Sequence, residues 1–549
     1  MHIEEPKSTK KYMRYNTNMI SLNPFVNELP SEFSARVGNE YIQSQSLDHK
    51  KTYAQYFTPL NASHFMAGLV NCKKSVVKVA DLGAGSGILG ISVCETLTRI
   101  NSKLKKIELT VYEIDHEMIP SLEKCLLYTK RWLAKKNIKL IITIKSSDFI
   151  LENATVLPER QTFSPNHLNA KELFDVIISN PPYFKLNKSD PRAKATLKVI
   201  HGQPNIYALF MAISVHLLTE HGEMIFITPR SYTAGPYFRL FREHFFSHVE
   251  PTFIHLFGSR NKAFDKDDVL QENMIIKAER KSLRKTHPDL EHDVLISFSN
   301  DLSDLEQSQI RILPRFEVID MNTKNKVVRI PLNSNEDSII KLIHAWKGSL
   351  DSYGLKISTG PVVPFRARAF IIENGNHNDS HIPLLWMQNI KPMLTKWPIN
   401  TRKQQYIQLN NESKKLLVKN SNYVLLRRFS AKEENQRIVA APYISSAIKS
   451  NIIGLENHLN YIYRPQGELS IEEVFGLAAL YNCRLFDIYF RTFSGNTQVS
   501  ATEIKDMPLP EPRLIKKIGS LLLKSKLRYN QLDEIVKEVI AGSNYPLSL

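Results

Sequence analysis

From Val76 to about Ile276 the chain alternates short, β-branched apolar runs with longer amphipathic stretches. The runs Val76–Ala80, Ile107–Tyr112, Lys139–Ile144, Asp175–Ser179, Glu223–Thr228, Thr252–Leu256 and Asn273–Lys277 are each bounded by turn-forming residues. Such runs read as strands buried on both faces, and their alternation with helical segments predicts a largely parallel α/β sheet covered on both sides. Helical spacing of apolar residues is also visible over Ser31–Asp48, Leu60–Val70 and Leu514–Ile540. The last of these is expected to pack on its own domain. A polar stretch, Lys277–Pro288, breaks the rhythm. Beyond Ser338 the pattern turns to mixed strands with isolated aromatics, among them Trp346, Tyr353, Trp386, Trp397, Tyr423, Tyr461 and Tyr463. The expected organisation is an N-terminal extension (1–50), an α/β domain (51–337) and a C-terminal α+β domain (338–549).

One strand ends abruptly. Val176, Ile177 and Ile178 lead into Asn180-Pro181-Pro182-Tyr183. Proline donates nothing to a sheet ladder and fixes its own φ, so the strand must stop there. An amide, a rigid turn and an aromatic face at a strand end suit a planar ring that carries an amino group. Open α/β sheets place ligands at that end of their strands.

Upstream, Asp81-Leu82-Gly83-Ala84-Gly85-Ser86-Gly87 runs from a strand into a helix. Its glycines allow a tight turn and close approach to backbone N–H groups at a helix N-terminus. Gly83-x-Gly85-x-Gly87 is the spacing of S-adenosylmethionine enzymes, while Gly85-x-Gly87-x-x-Gly90 also fits the dinucleotide fingerprint. The loop alone leaves the cofactor open. Glu113, with Ile114 beside it, ends the next strand, where a carboxylate can accept from both ribose hydroxyls. Asp148 and Phe149 end the third, placed for an adenine amino group and ring; a helix N-cap is the other reading of Asp148. A hydride-transfer enzyme has no use for the Asn180 tetrad, whereas a methyl-transfer enzyme does.

Composition narrows the setting. A chain of 549 residues exceeds a single core. No apolar run reaches the length of a bilayer span. Met1–Pro6 lack an apolar stretch behind basic residues, so no secretory signal is read there. Four scattered cysteines, Cys72, Cys94, Cys125 and Cys483, suggest reduced thiols and offer no zinc spacing. A cytosolic protein is expected. The net charge of +17 suggests a polyanionic partner, nucleic acid first.

Taken together these motifs resemble the gamma-class DNA adenine-N6 methyltransferases of type II restriction–modification systems, close to the PstI/BsuBI type. The likeness covers nearly the whole chain beyond about residue 40. It includes Tyr53-Ala54-Gln55-Tyr56-Phe57-Thr58-Pro59, the loop, the tetrad and Gly222–Ser231. In the C-terminal region Ser494–Ser500 and Met507–Pro510 are similar to target-recognition segments. The resemblance implies a Rossmann-like S-adenosylmethionine methyltransferase sheet followed by a DNA target-recognition domain. It implies cofactor contacts from Thr58, Pro59, Asp81, Gly83, Ala84, Gly85, Gly87, Glu113, Ile114, Asp148, Phe149 and Asn180, and no metal. Asn180, Pro181, Pro182 and Tyr183 would act on a flipped-out adenine, with Tyr183 and Phe264 stacking on the base. Arg366, Arg368, Gln388, Asn389, Arg427 and Arg428 are expected among the groups facing DNA. The implied partners are double-stranded DNA and a cognate restriction endonuclease encoded nearby, with no membrane and a monomeric protein. The competing readings are an enzyme of the same tetrad acting on protein glutamine or RNA guanine, and a non-enzymatic DNA-specificity module.

Overall fold

The computed structural model describes residues 22–53, 57–157, 172–200, 204–258, 272–281, 293–319, 321, 325–372, 380–431, 433–524 and 531–542. Its frame is a nine-stranded sheet: β1 (Val76–Leu82), β2 (Lys106–Tyr112), β3 (Lys139–Lys145), β4 (Phe174–Ser179), β5 (Leu218–Pro229), β6 (Val249–Phe257), β7 (Asn273–Arg280), β8 (Asp293–Ser299) and β9 (Ile310–Pro314). The order is β3-β2-β1-β4-β5-β7-β6-β8-β9. The first five strands are parallel, and β7 enters antiparallel between β5 and β6. Every residue of β4 is buried, which explains the apolar run Val176–Ile178 at its centre. The chain reverses direction outward from β1, so the ends of β1 and β4 frame a switch-point crevice.

Strands β8 and β9 lie beyond the point where the sequence rhythm broke, so the sheet is larger than the pattern predicts. The edge strand β9 keeps Ile310 and Ile312 exposed and buries only Leu313, which leaves little inward pattern to read.

Helices α1 (Pro30–Ser44), α2 (Leu47–Tyr53), α3 (Leu60–Gly68), α4 (Ile88–Ile100) and α5 (Ile119–Ala134) cover one face. The helical pattern over Ser31–Asp48 is thus two helices, parted at Gln45–Ser46. Phe33, Val37 and Tyr41 of α1 are buried in the same core as Val77, Val79 and Val111 of the sheet. On the other face lie α6 (Phe149–Asn153), α7 (Pro191–Ala195), α8 (Ile206–Ser214) and α9 (Arg239–His248).

Beyond residue 333 a separate apolar core forms, with Ile343, Trp346, Phe486, Phe490 and Ile518 inside it. This region carries a four-stranded and a five-stranded sheet followed by helices, an α+β arrangement. The pattern over Leu514–Ile540 contains the helix Pro512–Lys524 and, from Leu532, the helix Leu532–Ala541, both packed into that core. Among the described residues no helix is long and apolar enough to cross a membrane.

Arg230 fastens the two regions together, and Arg242 braces the N-terminal side of the joint. Arg230, just past β5, pairs with Glu272 at 2.9 Å and donates to the carbonyls of Arg491 (3.1 Å) and Thr492 (3.2 Å). Arg242 of α9 donates to the carbonyls of Tyr232, Ala234 and Gly235 and, through Nε, to that of Asn325. A Cβ on Gly495 would come within 2.3 Å of Arg230 Cγ, so glycine is required for that side chain to pass. The Ser494–Ser500 segment is accordingly a structural joint: the Ser494 and Asn496 carbonyls accept from buried Arg437, and the Thr497 carbonyl accepts from Ser430 N–H.

Candidate active site

The glycine loop follows β1 directly. Gly83, Gly85 and Gly87 all adopt positive φ (73°, 55° and 84°), a conformation that costs other residues a steric penalty. Gly83 and Ala84 donate their N–H groups to the Tyr112 carbonyl, tying the loop to the end of β2. Glu113 then holds the loop from below: its Oε2 accepts from Gly85 N–H at 2.7 Å and its Oε1 from Asp115 N–H at 2.8 Å. Burial pushes the Glu113 carboxyl above its ordinary range, and these two N–H donors pull against that shift.

A cavity of about 210 Å³ opens over the loop. Its wall includes Thr58, Gly83, Ala84, Gly85, Glu113, Ile114, Asp148, Phe149, Asn180, Pro181 and Pro182, so eleven of the residues expected from the sequence converge on one space. Phe57 closes one side; a Cβ on Gly85 would meet its ring at 2.8 Å. Phe149 is buried, edge-on to Tyr112 at 5.1 Å and near Phe210 at 4.9 Å, which gives the far end an aromatic floor.

Asn180 stands at the end of β4 with both ends of its amide engaged. Nδ2 donates to Thr58 Oγ1 at 3.1 Å, and Oδ1 accepts from the Tyr183 hydroxyl at 2.8 Å. That hydroxyl also lies 3.0 Å from the Ile227 carbonyl on β5.

Several expected cofactor residues do not reach the cavity. Asp81 is fully buried, and its Oδ2 accepts from Gly90 N–H at 2.8 Å, so its carboxyl fixes the start of α4 instead of facing a ligand. Gly87 turns toward α5, where a Cβ would meet Leu122 at 2.8 Å. Pro59 serves as the N-cap residue of α3. Tyr183 also stays out of the cavity wall and packs edge-on to Tyr207. Asp148 combines its two readings: it lines the cavity and also caps α6 by accepting from Leu151 N–H at 3.0 Å. Phe264 lies outside the described residues, as do residues 54–56. Of the groups expected to face DNA, Arg366, Arg368 and Gln388 are exposed. Asn389 is buried and bonded to Trp386 N–H and the Lys396 carbonyl, Arg427 donates to the Ile390 carbonyl, and Arg428 to that of Asn457.

Sequence reasoning missed two supports. Arg192 lines the cavity, bonded to Asp190 (2.9 and 2.7 Å) and 3.6 Å from Asp148. Asp115 takes the Tyr41 hydroxyl at 2.6 Å and His49 at 2.8 Å, joining α1 and α2 to the Glu113 turn. The Asp190-Pro191 start of α7 is a legible helix signal, but nothing local says that this helix returns to the cavity.

The strand order, the turn and the acid at each successive strand end define a methyltransferase of the S-adenosylmethionine class. A family model described as Eco57I restriction-modification methylase matches residues 95–264. The chain belongs to the type II methyltransferases of restriction–modification systems. It is 33% identical over 488 residues to the type II methyltransferase M.BsuBI of Bacillus subtilis, covering 89% of this chain and 93% of that one. To M.PstI of Providencia stuartii it is 29% identical over 485 residues, covering 88% and 92%. Among solved structures, the type IIG restriction endonuclease BpuSI matches 94% of this chain and 66% of its own, at 13% identity and a TM-score of 0.40.

Proposed function

We propose that the protein methylates N6 of adenine at a specific site in duplex DNA, protecting that site from a cognate restriction endonuclease. The observation that carries this reading is the doubly fixed Asn180 amide beside the glycine-loop cavity.

The residues present fit S-adenosylmethionine. Glu113 offers two carboxylate oxygens for ribose, and Asp148 with Phe149 offers an acceptor and an apolar ring for adenine. Thr58 and the backbone of Gly83–Gly85 stand where the methionine portion belongs. When bound, this cofactor supplies an electrophilic methyl group.

The remaining work falls to Asn180 and its neighbours. The N6 lone pair of adenine is delocalised into the ring and attacks poorly. Asn180 Oδ1 has one lone pair engaged by Tyr183 and a second for an N6 hydrogen. The Pro181 carbonyl is the second acceptor. Two acceptors aimed at the amino hydrogens favour a tetrahedral nitrogen and free its electron pair. Asn180 has no proton to titrate, so it positions and stabilises and does not act as a base. Tyr183 supplies an aromatic face, and the target base must leave the duplex stack to meet it. The positive net charge supports a nucleic acid over protein as the substrate, and the large C-terminal α+β region supports DNA over RNA.

Purified protein with tritiated S-adenosylmethionine should label duplex DNA at adenine N6, and Asn180→Ala should abolish transfer with cofactor binding retained. Label on protein or RNA alone would overturn the assignment.

A further inference from the structure

We propose that His216, His244 and His248 form a zinc site that ties together the starts of β5 and β6, at the end of the sheet away from the cavity. His244 and His248 sit four residues apart on α9 and so share one face of that helix. His216 follows α8 and comes just before β5. Their ligand atoms all lie within 4.8 Å of one another. His216 Nε2 and His244 Nε2 are 3.2 Å apart, close to the roughly 3.3 Å between two nitrogens bound tetrahedrally at zinc distances.

The surroundings suit a cation held by neutral rings. His216 and His244 are buried, and His248 is partly so. His248 Nδ1 bonds the His244 carbonyl at 2.8 Å. A backbone carbonyl accepts there only from N–H, which fixes the tautomer and leaves the Nε2 lone pair for a metal. The Ala212 carbonyl of α8 lies 3.1 Å from His244 Nε2, so without metal this nitrogen carries the ring proton and donates to that carbonyl, and binding a cation there moves the proton to Nδ1. The trio also lies at the C-terminal ends of α8 and α9, where unpaired carbonyls and the helix dipoles favour positive charge. Three imidazoles without thiolate or carboxylate match zinc among the common ions.

The position gives such a site a structural purpose. Strands β5 and β6 are separated by β7, so no ladder bond joins them. A metal bridging His216 to His244 and His248 would span that gap and fix how α9 enters β6.

The full-length protein, stripped with chelator and titrated with zinc chloride, tests this. Calorimetry and elemental analysis should give one zinc per chain, and cobalt(II) in its place should show the visible bands of a tetrahedral site. Zinc should raise the melting midpoint by roughly 3 °C or more over the chelated protein. His216→Gln and the partly exposed His248→Gln should each lose the bound metal and that increment. His248→Gln should melt as the chelated wild type does. Absence of stoichiometric binding in the wild type, or equal binding and equal stabilisation in both variants, would overturn the proposal.

Discussion

The Tyr183 hydroxyl donates to Asn180 Oδ1 at 2.8 Å while remaining 3.0 Å from the Ile227 carbonyl. The aromatic residue of the tetrad therefore orients its amide residue. Tyr183→Phe keeps the ring and removes this bond. One lost hydrogen bond is worth about 1 kcal/mol, so the turnover number should fall roughly fivefold with cofactor affinity nearly unchanged. Asn180→Ala should lose far more. Steady-state methylation and equilibrium cofactor binding separate the two effects.

Glu113 supports the loop and also faces the cavity. Glu113→Ala removes the acceptor of Gly85 N–H and both ribose acceptors. Cofactor affinity should drop on the order of 100-fold, measured by calorimetry. A variant that binds as tightly as wild type would remove Glu113 from the site.

The two roles of Asp148 separate by substitution. Asn is as good an N-cap as Asp, so Asp148→Asn should keep thermal stability and lose the charge interaction with Arg192. Asp148→Ala should cost about 1 kcal/mol of stability as well. Both variants should bind cofactor more weakly. Melting curves and binding isotherms of the pair check this.

Asp81 carries a pH signature. Burial raises its carboxyl to about 7 in the folded protein, above the ordinary unfolded value near 4. Between those values the folded state holds the extra proton, so this group's contribution to stability falls as pH rises from about 4 to 7 and is flat above. Asp81→Asn retains an acceptor for Gly90 N–H and removes the cost of ionising a buried carboxyl. It should flatten that part of the stability–pH profile and stabilise the protein at pH 8 by up to a few kcal/mol, read from melting midpoints across the range.

Gly495→Ala tests the joint between the two regions. Its Cβ would press on Arg230, so overpacking should cost about 1–3 kcal/mol. DNA affinity should fall with it, because Arg230 would lose its hold on the helix ending at Phe493. Thermal unfolding and a filter-binding titration measure the two consequences.

Much of the sheet was legible because its central strands are buried on both faces and so appear as largely apolar runs, interrupted only by isolated polar residues such as Lys78, Asp81 and Asp175. Val77–Leu82 and Phe174–Ser179 are of this kind. The sheet's last two strands were not, since β9 exposes alternate isoleucines and follows a polar interruption. At the site, glycines and strand-end acids identify the cavity because turn geometry and strand ends are local properties. Asp81 misled for the same reason: an acid at a strand end reads as a ligand until α4 is seen to take its carboxyl. Arg192, the Tyr41–Asp115–His49 cluster and the histidine trio join residues far apart in sequence, and only tertiary packing brings them together.

Strand β5 carries the Ile227 carbonyl beside the Tyr183 hydroxyl, and three residues later, just past its end, comes Arg230, which grips the helix ending at Phe493. The part of the chain that holds the amide and the part that anchors the second region are thus one short rod. For exchange of C-terminal regions between relatives, this makes the seam a matter of matched halves. Arg230 and Glu272 come from one parent, while the glycine at 495 and the helix end at Arg491–Phe493 come from the other. A C-terminal region can be inherited whole, provided the arginine still finds a glycine to pass.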